Sequence, residues 1–195
     1  MIVKVLIEGY AKEIDGIEYA SSSTTFIDDG TFKVIVDPGS NRELLLNRLK
    51  DINIDISDIN IVILTHTHLD HSLLAGIFIN ASIYDNSAFS RLDSSIREHN
   101  SKIGESISII NTPGHDRFHA SVVIKNTDKG VIVLAGDIFW WLDEEEALTD
   151  INSLLNKVDP YVKNEKELLE SRKQVLEIAD YIIPGHGKSF YIKKD

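Results

Sequence analysis

The sequence predicts one domain of the α/β (α+β) class, spanning residues 1–195, in which two β-sheets pack together with helices outside. Short apolar, β-branched runs typical of strands occur before residue 40 and again between residues 61 and 135. Helical periodicity is confined to a segment after Asn41 and a longer segment before residue 180. The predicted order is strands, a helix, further strands, a long helix and a last strand. This order is the one expected for two sheets with helices outside.

The first 40 residues are predicted to form an antiparallel meander, with strands at residues 2–8, 19–28 and 33–36. The segment Asp28-Asp29-Gly30 is a hairpin turn signal between the second and third strands. Asn41 then caps a helix that continues to about residue 50, because leucines at positions 44, 45 and 49 recur on one face.

The remaining elements follow from the same rules. Strands are predicted at residues 61–64, 77–84, 106–111, 121–125, 131–135 and 181–183. A short helix is predicted at residues 71–76, with Asp70 at its start, and residues 87–99 are predicted to be weakly helical. Asp159-Pro160 is predicted to begin the long helix, which ends near residue 179.

The composition excludes several classes of function. The chain has no Cys, so it has no disulfides, thiolate zinc sites or Cys nucleophile. The formal net charge of −11 repels polyanions, which disfavours nucleic acid as a partner and favours a small-molecule substrate. No apolar run approaches the roughly 20 residues of a membrane span, and the start does not resemble a signal peptide. We therefore expect a cytoplasmic protein without a membrane partner; the sequence does not define its oligomeric state.

A cluster of potential metal ligands follows the predicted strand at residues 61–64. Residues 65–71 read THTHLDH, which places four potential ligands within six positions: His66, His68, Asp70 and His71. Polar groups at the end of a core strand need partners, and imidazoles gathered this closely usually share a metal. With no thiolate available, imidazole and carboxylate ligands fit zinc, iron or manganese.

Three further groups stand in the same local context. His115, Asp137 and His186 each follow an apolar strand and lie beside Gly or Pro-Gly. In extended backbone the residues i and i+2 face the same way, so His66 and His68 can bind one ion. Helical backbone at positions 70 and 71 would turn those side chains toward a second ion. His115 can then complete the first ion's set and His186 the second's, while the two oxygens of Asp137 can bridge the ions.

The motifs THTHLDH, NTPGHD, LAGD and IIPGHG, in this order, resemble those of the metallo-β-lactamase superfamily. The resemblance covers most of the chain and implies a four-layer αββα sandwich with a dinuclear site at one edge, between the sheets. It implies the same division of ligands, with two zinc ions as cofactors and iron or manganese as alternatives. It also implies a hydroxide between the metals as the nucleophile, which Asp70 would orient or deprotonate.

The same resemblance narrows the subfamily. Asp137 stands at a bridging position that true zinc β-lactamases fill with Cys or leave without a bridging Asp, which argues against antibiotic hydrolysis. His68 stands where flavodiiron proteins usually have Glu, which disfavours oxygen or nitric oxide reduction. The short length and the opening VLIEGYA resemble the small single-domain, glyoxalase II-like hydrolases, without the additional C-terminal helical domain of glyoxalase II.

These observations favour a dinuclear hydrolase that acts on a small thioester, lactone or other ester. One alternative is a mononuclear iron, persulfide dioxygenase-like oxidoreductase, because His66, His115 and Asp137 would serve a single iron equally well. A second alternative is a phosphodiesterase or nuclease, and a third is a binding module that has kept its metal without catalysis.

Candidate substrate contacts lie outside the ligand set. Trp140 and Trp141 follow Asp137 closely and are candidates for an apolar wall of the substrate pocket, with core packing as the alternative. His119 is a candidate for a substrate contact or for a support of the ligands, with a purely structural role as the alternative. Asp116 is interpreted either as such a support or as a turn residue. The acidic residues 143–146 would repel anionic substrates if they lie near the cleft.

Overall fold

Two β-sheets lie face to face in the computed structural model, which describes residues 1–193. The strands are β1 (Ile2–Ile7), β2 (Tyr10–Ile14), β3 (Ile17–Ser21), β4 (Thr24–Asp28), β5 (Lys33–Val36), β6 (Ile61–Ile63), β7 (Ser82–Tyr84), β8 (Ala88–Ser90), β9 (Ile96–Glu98), β10 (Lys102–Ile103), β11 (Ile107–Asn111), β12 (Ala120–Thr127), β13 (Gly130–Gly136), β14 (Tyr181–Pro184) and β15 (Phe190–Tyr191). The helices are α1 (Arg42–Asp51), α2 (Leu69–Ser72), α3 (Ile151–Asn156) and α4 (Glu165–Ile178), with short 3-10 helices at Ile56–Asp58 and Ala75–Ile77.

The two sheets are mixed and differ in strand order. The first has the order β1-β4-β5-β6-β7-β8-β9, and the second runs in chain order from β10 to β15. Strands β5, β6 and β7 are parallel neighbours, as are β13 and β14, and the other pairs are antiparallel. The hairpin β2–β3 is separate from both sheets and, as described below, lies over the candidate site.

Alternation along the strands produces the layers. Val34 and Val36 of β5 pack in a core shared by both sheets, whereas Ile35 packs in a core shared with α1. In β13 the side chains alternate in the same way: Leu134 packs in the core between the sheets, and Val133 packs in a core shared with α3 and α4. Because successive strand residues face opposite sides, each sheet buries both of its faces. The architecture is therefore the αββα sandwich that the sequence predicts.

Side-chain caps determine where the two longer helices begin. The side chain of Asn41 accepts a hydrogen bond from the backbone N–H of Leu44, so α1 begins as predicted. The prediction that the last long helix begins at Asp159-Pro160 is wrong. The side chain of Asn164 caps that helix by accepting from the N–H of Glu167, and the Asp159 carboxylate instead accepts a hydrogen bond from His115.

Several other boundaries differ from the prediction. Residues 87–99, predicted to be weakly helical, form the hairpin β8–β9, which pairs with β7 and is supported by stacking of Phe89 on Tyr84 at 4.7 Å between ring centroids. The predicted strand at residues 19–28 is two strands, since β3 ends at Ser21 and β4 begins at Thr24. The strand predicted at residues 77–84 begins only at Ser82, and the helix predicted at residues 71–76 is the earlier α2. Strand β2, strand β15 and helix α3 were not predicted.

The topology brings four strand ends to one place. Strands β6, β11, β13 and β14 are each followed by a predicted site residue, and these residues converge in the structure. Within residues 1–193, none of the helices has the length and the apolar character needed to cross a bilayer.

Candidate metal centre

The seven residues predicted as ligands converge in two groups. One group holds His66, His68, His115 and Asp137, and the other holds Asp70, His71 and His186. Within each group the potential ligand atoms lie within 4.8 Å of one another. This is the division that residue spacing predicts: the extended segment supplies His66 and His68 to one group, and α2 supplies Asp70 and His71 to the other.

The carboxylate of Asp137 faces both groups. Its Oδ2 lies 3.7 Å from Nε2 of His66 and 3.5 Å from Nε2 of His115. Its Oδ1 lies 3.2 Å from Nε2 of His71 and 3.7 Å from Nε2 of His186. Each oxygen is thus directed at two imidazoles of a different group, which is the placement that a bridging carboxylate requires.

Hydrogen bonds at Nδ1 fix the orientation of four imidazoles. Nδ1 of His71 lies 2.9 Å from Oδ2 of Asp37, and Nδ1 of His115 lies 2.7 Å from Oδ2 of Asp159. Nδ1 of His66 faces the hydroxyl of Thr65 at 3.1 Å. Nδ1 of His186 faces the carbonyl oxygens of Tyr10 and Ser21, at 3.1 and 3.2 Å. Because each Nδ1 faces an acceptor, each Nε2 is the nitrogen directed into the centre, and in the neutral ring it offers a lone pair to a metal ion.

His68 is oriented differently from the other imidazoles. Its Nδ1 lies 3.4 Å from Nε2 of His115, so it presents the opposite ring nitrogen to the centre. The other two imidazoles of its group, those of His66 and His115, are less than 3% exposed. His68 is half-buried and lines the cavity above the centre.

The centre contains buried polar atoms without hydrogen-bond partners in the described part of the chain. These atoms are Nε2 of His66, Nε2 of His71 and Oδ1 of Asp137. A buried polar atom left without a partner costs about 1–3 kcal/mol, so three together in one small volume require an explanation. A metal ion bound by these atoms would satisfy all three. The donor set contains only imidazole nitrogen and carboxylate oxygen, which fits zinc, iron or manganese.

The charges of the centre are strongly coupled. Burial tends to raise the pKa of Asp137, but the neighbouring His71 and His186 hold that pKa well below its usual range. Burial tends to lower the pKa of His186, but the carboxylates of Asp137 and Asp70 overcome this and raise it to about 9. The pKa of His71 is raised well above its ordinary value, against the effect of burial, by Asp137 and Asp37. Without bound metal, the second group therefore retains protons that a metal ion would displace.

Two supporting carboxylates were missed by sequence reasoning. Asp37 is not identified by the sequence analysis, and Asp159 is predicted only as the start of a helix. Asp37 is buried and accepts hydrogen bonds from the backbone N–H of Thr65 at 2.8 Å, from the Thr65 hydroxyl at 2.7 Å and from His71. It adopts a positive φ of 47°, in the turn that follows β5. The sequence signal that could have found both residues is an Asp adjacent to Pro directly beyond a predicted apolar strand or before a predicted helix.

His119 does not line the cavity, in contrast to the expectation of a substrate contact, because it is fully buried beneath the centre. Its Nε2 accepts a hydrogen bond from the backbone N–H of Asp137 at 3.0 Å, and its Nδ1 lies 3.0 Å from the hydroxyl of Thr112. Burial lowers the pKa of His119 to about 3, so the ring is neutral with its proton on Nδ1. The position fits the alternative reading, a support of the bridging carboxylate.

The two Trp residues separate into wall and core. Trp140 lines the cavity, and its ring centroid lies 5.7 Å from that of Tyr161. Trp141 does not line the cavity and instead packs edge to face on Phe190 in the core beneath α4. Asp116 accepts from the backbone N–H of Phe118 at 2.9 Å, which identifies it as a turn residue.

A cavity of about 1030 Å³ opens above the two groups. Its floor includes His68, Asp70, His115, Asp137 and His186. The hairpin β2–β3 forms one wall, and Trp140, Pro160 and Tyr161 contribute to the opposite side. This volume is large enough for a ligand of drug-like size.

Comparisons with known proteins identify one family. The family model described as the metallo-beta-lactamase superfamily matches residues 19–91. Metallo-beta-lactamase domain-containing protein 1 of Xenopus laevis is 30% identical, over 98% of this chain and 82% of the relative. A probable metallo-hydrolase of Methanocaldococcus jannaschii is also 30% identical, over 100% of this chain and 91% of the relative.

Solved structures share the fold. A Thermotoga maritima protein of metallo-beta-lactamase type aligns with a TM-score of 0.72 at 20% identity, over 97% of this chain and 98% of that chain. AidC, described as a dizinc quorum-quenching lactonase, aligns with a TM-score of 0.63 at 13% identity, over 92% of this chain and 81% of the AidC chain. An αββα sandwich with a His/Asp centre where its strands end defines a metal-binding hydrolase. The chain belongs to the metallo-beta-lactamase superfamily.

Proposed function

We propose that the chain is a dinuclear metal-dependent hydrolase of a small thioester, lactone or other ester, with two zinc ions as its cofactors. In this proposal the two groups of ligands would hold the two ions, which would supply a shared hydroxide as the nucleophile. We also propose a cytoplasmic location, to be checked by cell fractionation.

The placement of Asp137 is the observation that carries this proposal. Its two oxygens face two different groups of imidazoles at 3.2–3.7 Å, and its Oδ1 has no hydrogen-bond partner among the described residues. A single ion in the first group would leave the second group, and the Oδ1 of Asp137 that faces it, without a metal ion. Two ions satisfy both groups, which favours a dinuclear centre over a mononuclear one.

The chain's own residues complete the chemistry. When bound, a pair of divalent ions lowers the pKa of a shared water toward about 7 and polarises a carbonyl oxygen. The four Nδ1 hydrogen bonds hold the imidazole rings in orientations that direct their Nε2 atoms at the centre.

Asp70 is the carboxylate best placed to act on the water. Its Oδ2 lies 3.1 Å from Nε2 of His186, and the residue lines the cavity. Burial tends to raise its pKa, but the hydrogen bond from His186 keeps that pKa below its ordinary value, so Asp70 is ionised at neutral pH. We propose that this carboxylate orients the water, accepts its proton and returns it to the leaving alcohol or thiol. The water oxygen then bonds to the acyl carbon as the C–O or C–S bond breaks.

Two other functions use the same residues. A mononuclear iron oxidoreductase would need only His66, His115 and Asp137, and the fold also occurs in a chemotaxis sensor described as holding a peroxy diiron species. The complete second group of Asp70, His71 and His186 argues against a single iron. A phosphodiesterase or nuclease is disfavoured by the net charge of −11.

The test combines metal analysis with turnover. We expect about two equivalents of zinc per chain, and hydrolysis of at least one thioester or lactone in a panel that also contains phosphodiesters. Hydrolysis of the phosphodiesters alone would support the nuclease instead. Asp70→Asn should lower kcat by at least about 100-fold with the fold intact by circular dichroism. Asp128→Asn, at an exposed position in the β12–β13 turn, is the matched control and should leave kcat unchanged. One iron per chain with oxygen uptake, or full activity in Asp70→Asn, would contradict the proposal.

A further inference from the structure

The rim of the cavity above the centre is predominantly acidic. Four carboxylates line it, two from the hairpin β2–β3 and two from the loop after Trp141: Glu13, Glu18, Asp143 and Glu144. Lys12 is the one Lys or Arg among the residues that line the cavity. Within residues 1–193, no Lys or Arg forms an ion pair with any of the four carboxylates, so their charge is not locally cancelled.

Apolar and aromatic surface accompanies these carboxylates. Ile14 and Tyr19 of the hairpin line the cavity although they are 49% and 45% exposed. Tyr161, on the opposite side, is 47% exposed, and its ring meets that of Trp140. Large apolar side chains left this accessible beside a deep polar centre are the usual lining for the apolar arm of a small ligand.

The hairpin is fixed in place over the centre. Its residue Ala11 exchanges two hydrogen bonds with Asp143: the Ala11 N–H donates to Asp143 Oδ1 at 3.1 Å, and the Asp143 N–H donates to the Ala11 carbonyl at 2.8 Å. The hydroxyl of Tyr161 donates to Glu18 Oε1 at 3.1 Å, which joins the two walls of the cavity. These hydrogen bonds therefore hold the acidic residues of the hairpin near the entrance of the cavity.

We propose that the rim selects substrates by charge: the centre accepts uncharged or cationic esters, thioesters or lactones with an apolar arm, and it rejects anionic ones. This inference rests on the proposed hydrolytic function of the centre. The apolar arm lies against Tyr19, Trp140 and Tyr161. An anionic group on the arm meets the rim carboxylates, whose like charge repels it.

The same rim acts on the product. Hydrolysis converts an uncharged ester into a carboxylate, so the product acquires the charge that the rim repels. Repulsion then favours departure of the acid from the cavity. Substrates that carry carboxylates or phosphates before hydrolysis, including polyanions, are excluded for the same reason.

The test uses matched p-nitrophenyl esters that differ only in the charge of the acyl arm. We choose pentanoate as the uncharged arm, glutarate as the anionic arm and 4-(trimethylammonio)butyrate as the cationic arm. For the zinc-loaded protein we expect kcat/KM for the anionic ester at least about 10-fold below that for the uncharged one, since charge-lined clefts alter association by such factors. Raising the salt concentration should narrow the difference.

Matched variants separate the rim from the overall charge. Glu13→Gln combined with Glu144→Gln removes two rim charges and should reduce the discrimination severalfold. Glu98→Gln combined with Glu177→Gln changes the net charge by the same amount at exposed positions outside the cavity and should leave the discrimination unchanged. Equal discrimination in both double variants would overturn the proposal.

A binding measurement keeps this inference distinct from the hydrolytic function. Ketone analogues of the three esters, which cannot be hydrolysed, are titrated into metal-free and zinc-loaded protein, with the fluorescence of the cavity-lining Trp140 as the readout. We expect the uncharged and cationic ketones to bind more tightly than the anionic one in both forms. If no ester is hydrolysed but the ketones retain this order, the hydrolytic function fails and the charge selection stands. Ester hydrolysis without a charge preference, or with a preference for glutarate, would overturn the inference alone.

Discussion

Nδ1 of His115 donates a hydrogen bond to Oδ2 of Asp159, and the two atoms lie 2.7 Å apart. The side chains of both residues are at most 1% exposed. Asp159 also accepts from the indole N–H of Trp140 at 3.4 Å and from the backbone N–H of Tyr161 at 3.0 Å. One carboxylate therefore holds an imidazole of the centre and two residues of the cavity wall.

Asp159→Asn should lower the affinity for the ion held by His115, because an amide accepts the Nδ1 proton less strongly than a carboxylate and does not favour one ring orientation. Loss of such a supporting partner typically costs about 10–100-fold in metal affinity or activity. Chelator competition measures the loss, and Asp128→Asn should match the unsubstituted protein. Equal metal affinity in the two variants would show that Asp159 supports only the cavity wall and not the metal-binding imidazole.

His119→Phe tests the support beneath the bridging carboxylate. The substitution removes the acceptor of the Asp137 N–H and leaves that buried donor without a partner, which costs about 1–3 kcal/mol. We expect a lower free energy of unfolding in urea and a lower affinity for both metal equivalents, since Asp137 faces both groups. His119→Gln retains a side-chain oxygen as acceptor and should recover part of both losses. If His119→Phe lowers the stability but leaves the affinity for both metal equivalents unchanged, His119 has only a structural role.

Arg172 connects α4 to the segments that carry Asp137 and Asp159. It is 3% exposed; its Nε donates to the carbonyl of Ile138 at 2.9 Å, and its Nη1 donates to the carbonyl of Lys157. Arg172→Leu should lower the free energy of unfolding by about 3 kcal/mol, because it leaves buried carbonyl oxygens without donors. Lys173→Leu is the control: its exposed ion pair with Glu170 is worth less than about 1 kcal/mol. A loss below 1 kcal/mol in Arg172→Leu would contradict this role.

Local sequence sufficed for the ligand positions but not for their supports. His115, Asp137 and His186 are recognisable because each directly follows an apolar strand and a tight turn, and because they occur in a fixed order. Asp37 and Asp159 lie 34 and 44 residues from the imidazoles that they hold, and each resembles an ordinary turn or cap residue in its own neighbourhood. An Asp adjacent to Pro can mark such a carboxylate as a candidate, but its function becomes evident only from the tertiary contact.

The same distinction explains the errors in secondary structure. The apolar strands β5, β6 and β13 were predicted because alternation or β-branching is visible within them. Strands β8 and β9 are short, and their residues are exposed or only half-buried. The pairing of β8 with β7 and of β9 with β8, rather than their own sequence pattern, makes them strands. Propensity gives little information on such edge strands, because their stability depends on the neighbouring strand.

Metal removal should reverse the dependence of stability on pH. In the metal-free protein the pKa of His186 is raised to about 9 from an ordinary value near 6.5, by Asp137 and Asp70 and against the effect of burial. A raised pKa means that the folded state binds the proton more tightly than the unfolded state does. Its stabilising effect is therefore fully present below about pH 6.5 and is lost as the pH rises toward 9.

The zinc-loaded protein should behave in the opposite way, because a metal ion binds the deprotonated imidazole and competes with protons as the pH falls. We expect the free energy of unfolding to fall between pH 6.5 and 9 in chelator-treated protein, and the loaded protein to gain stability over the acidic part of that range. Calorimetric titration of zinc at pH 7.5 in two buffers of different ionisation enthalpy should detect at least one proton released per chain, since His71 also holds its proton more tightly than usual. Zinc uptake without proton release would mean that His71 and His186 are already neutral, or that neither binds the metal.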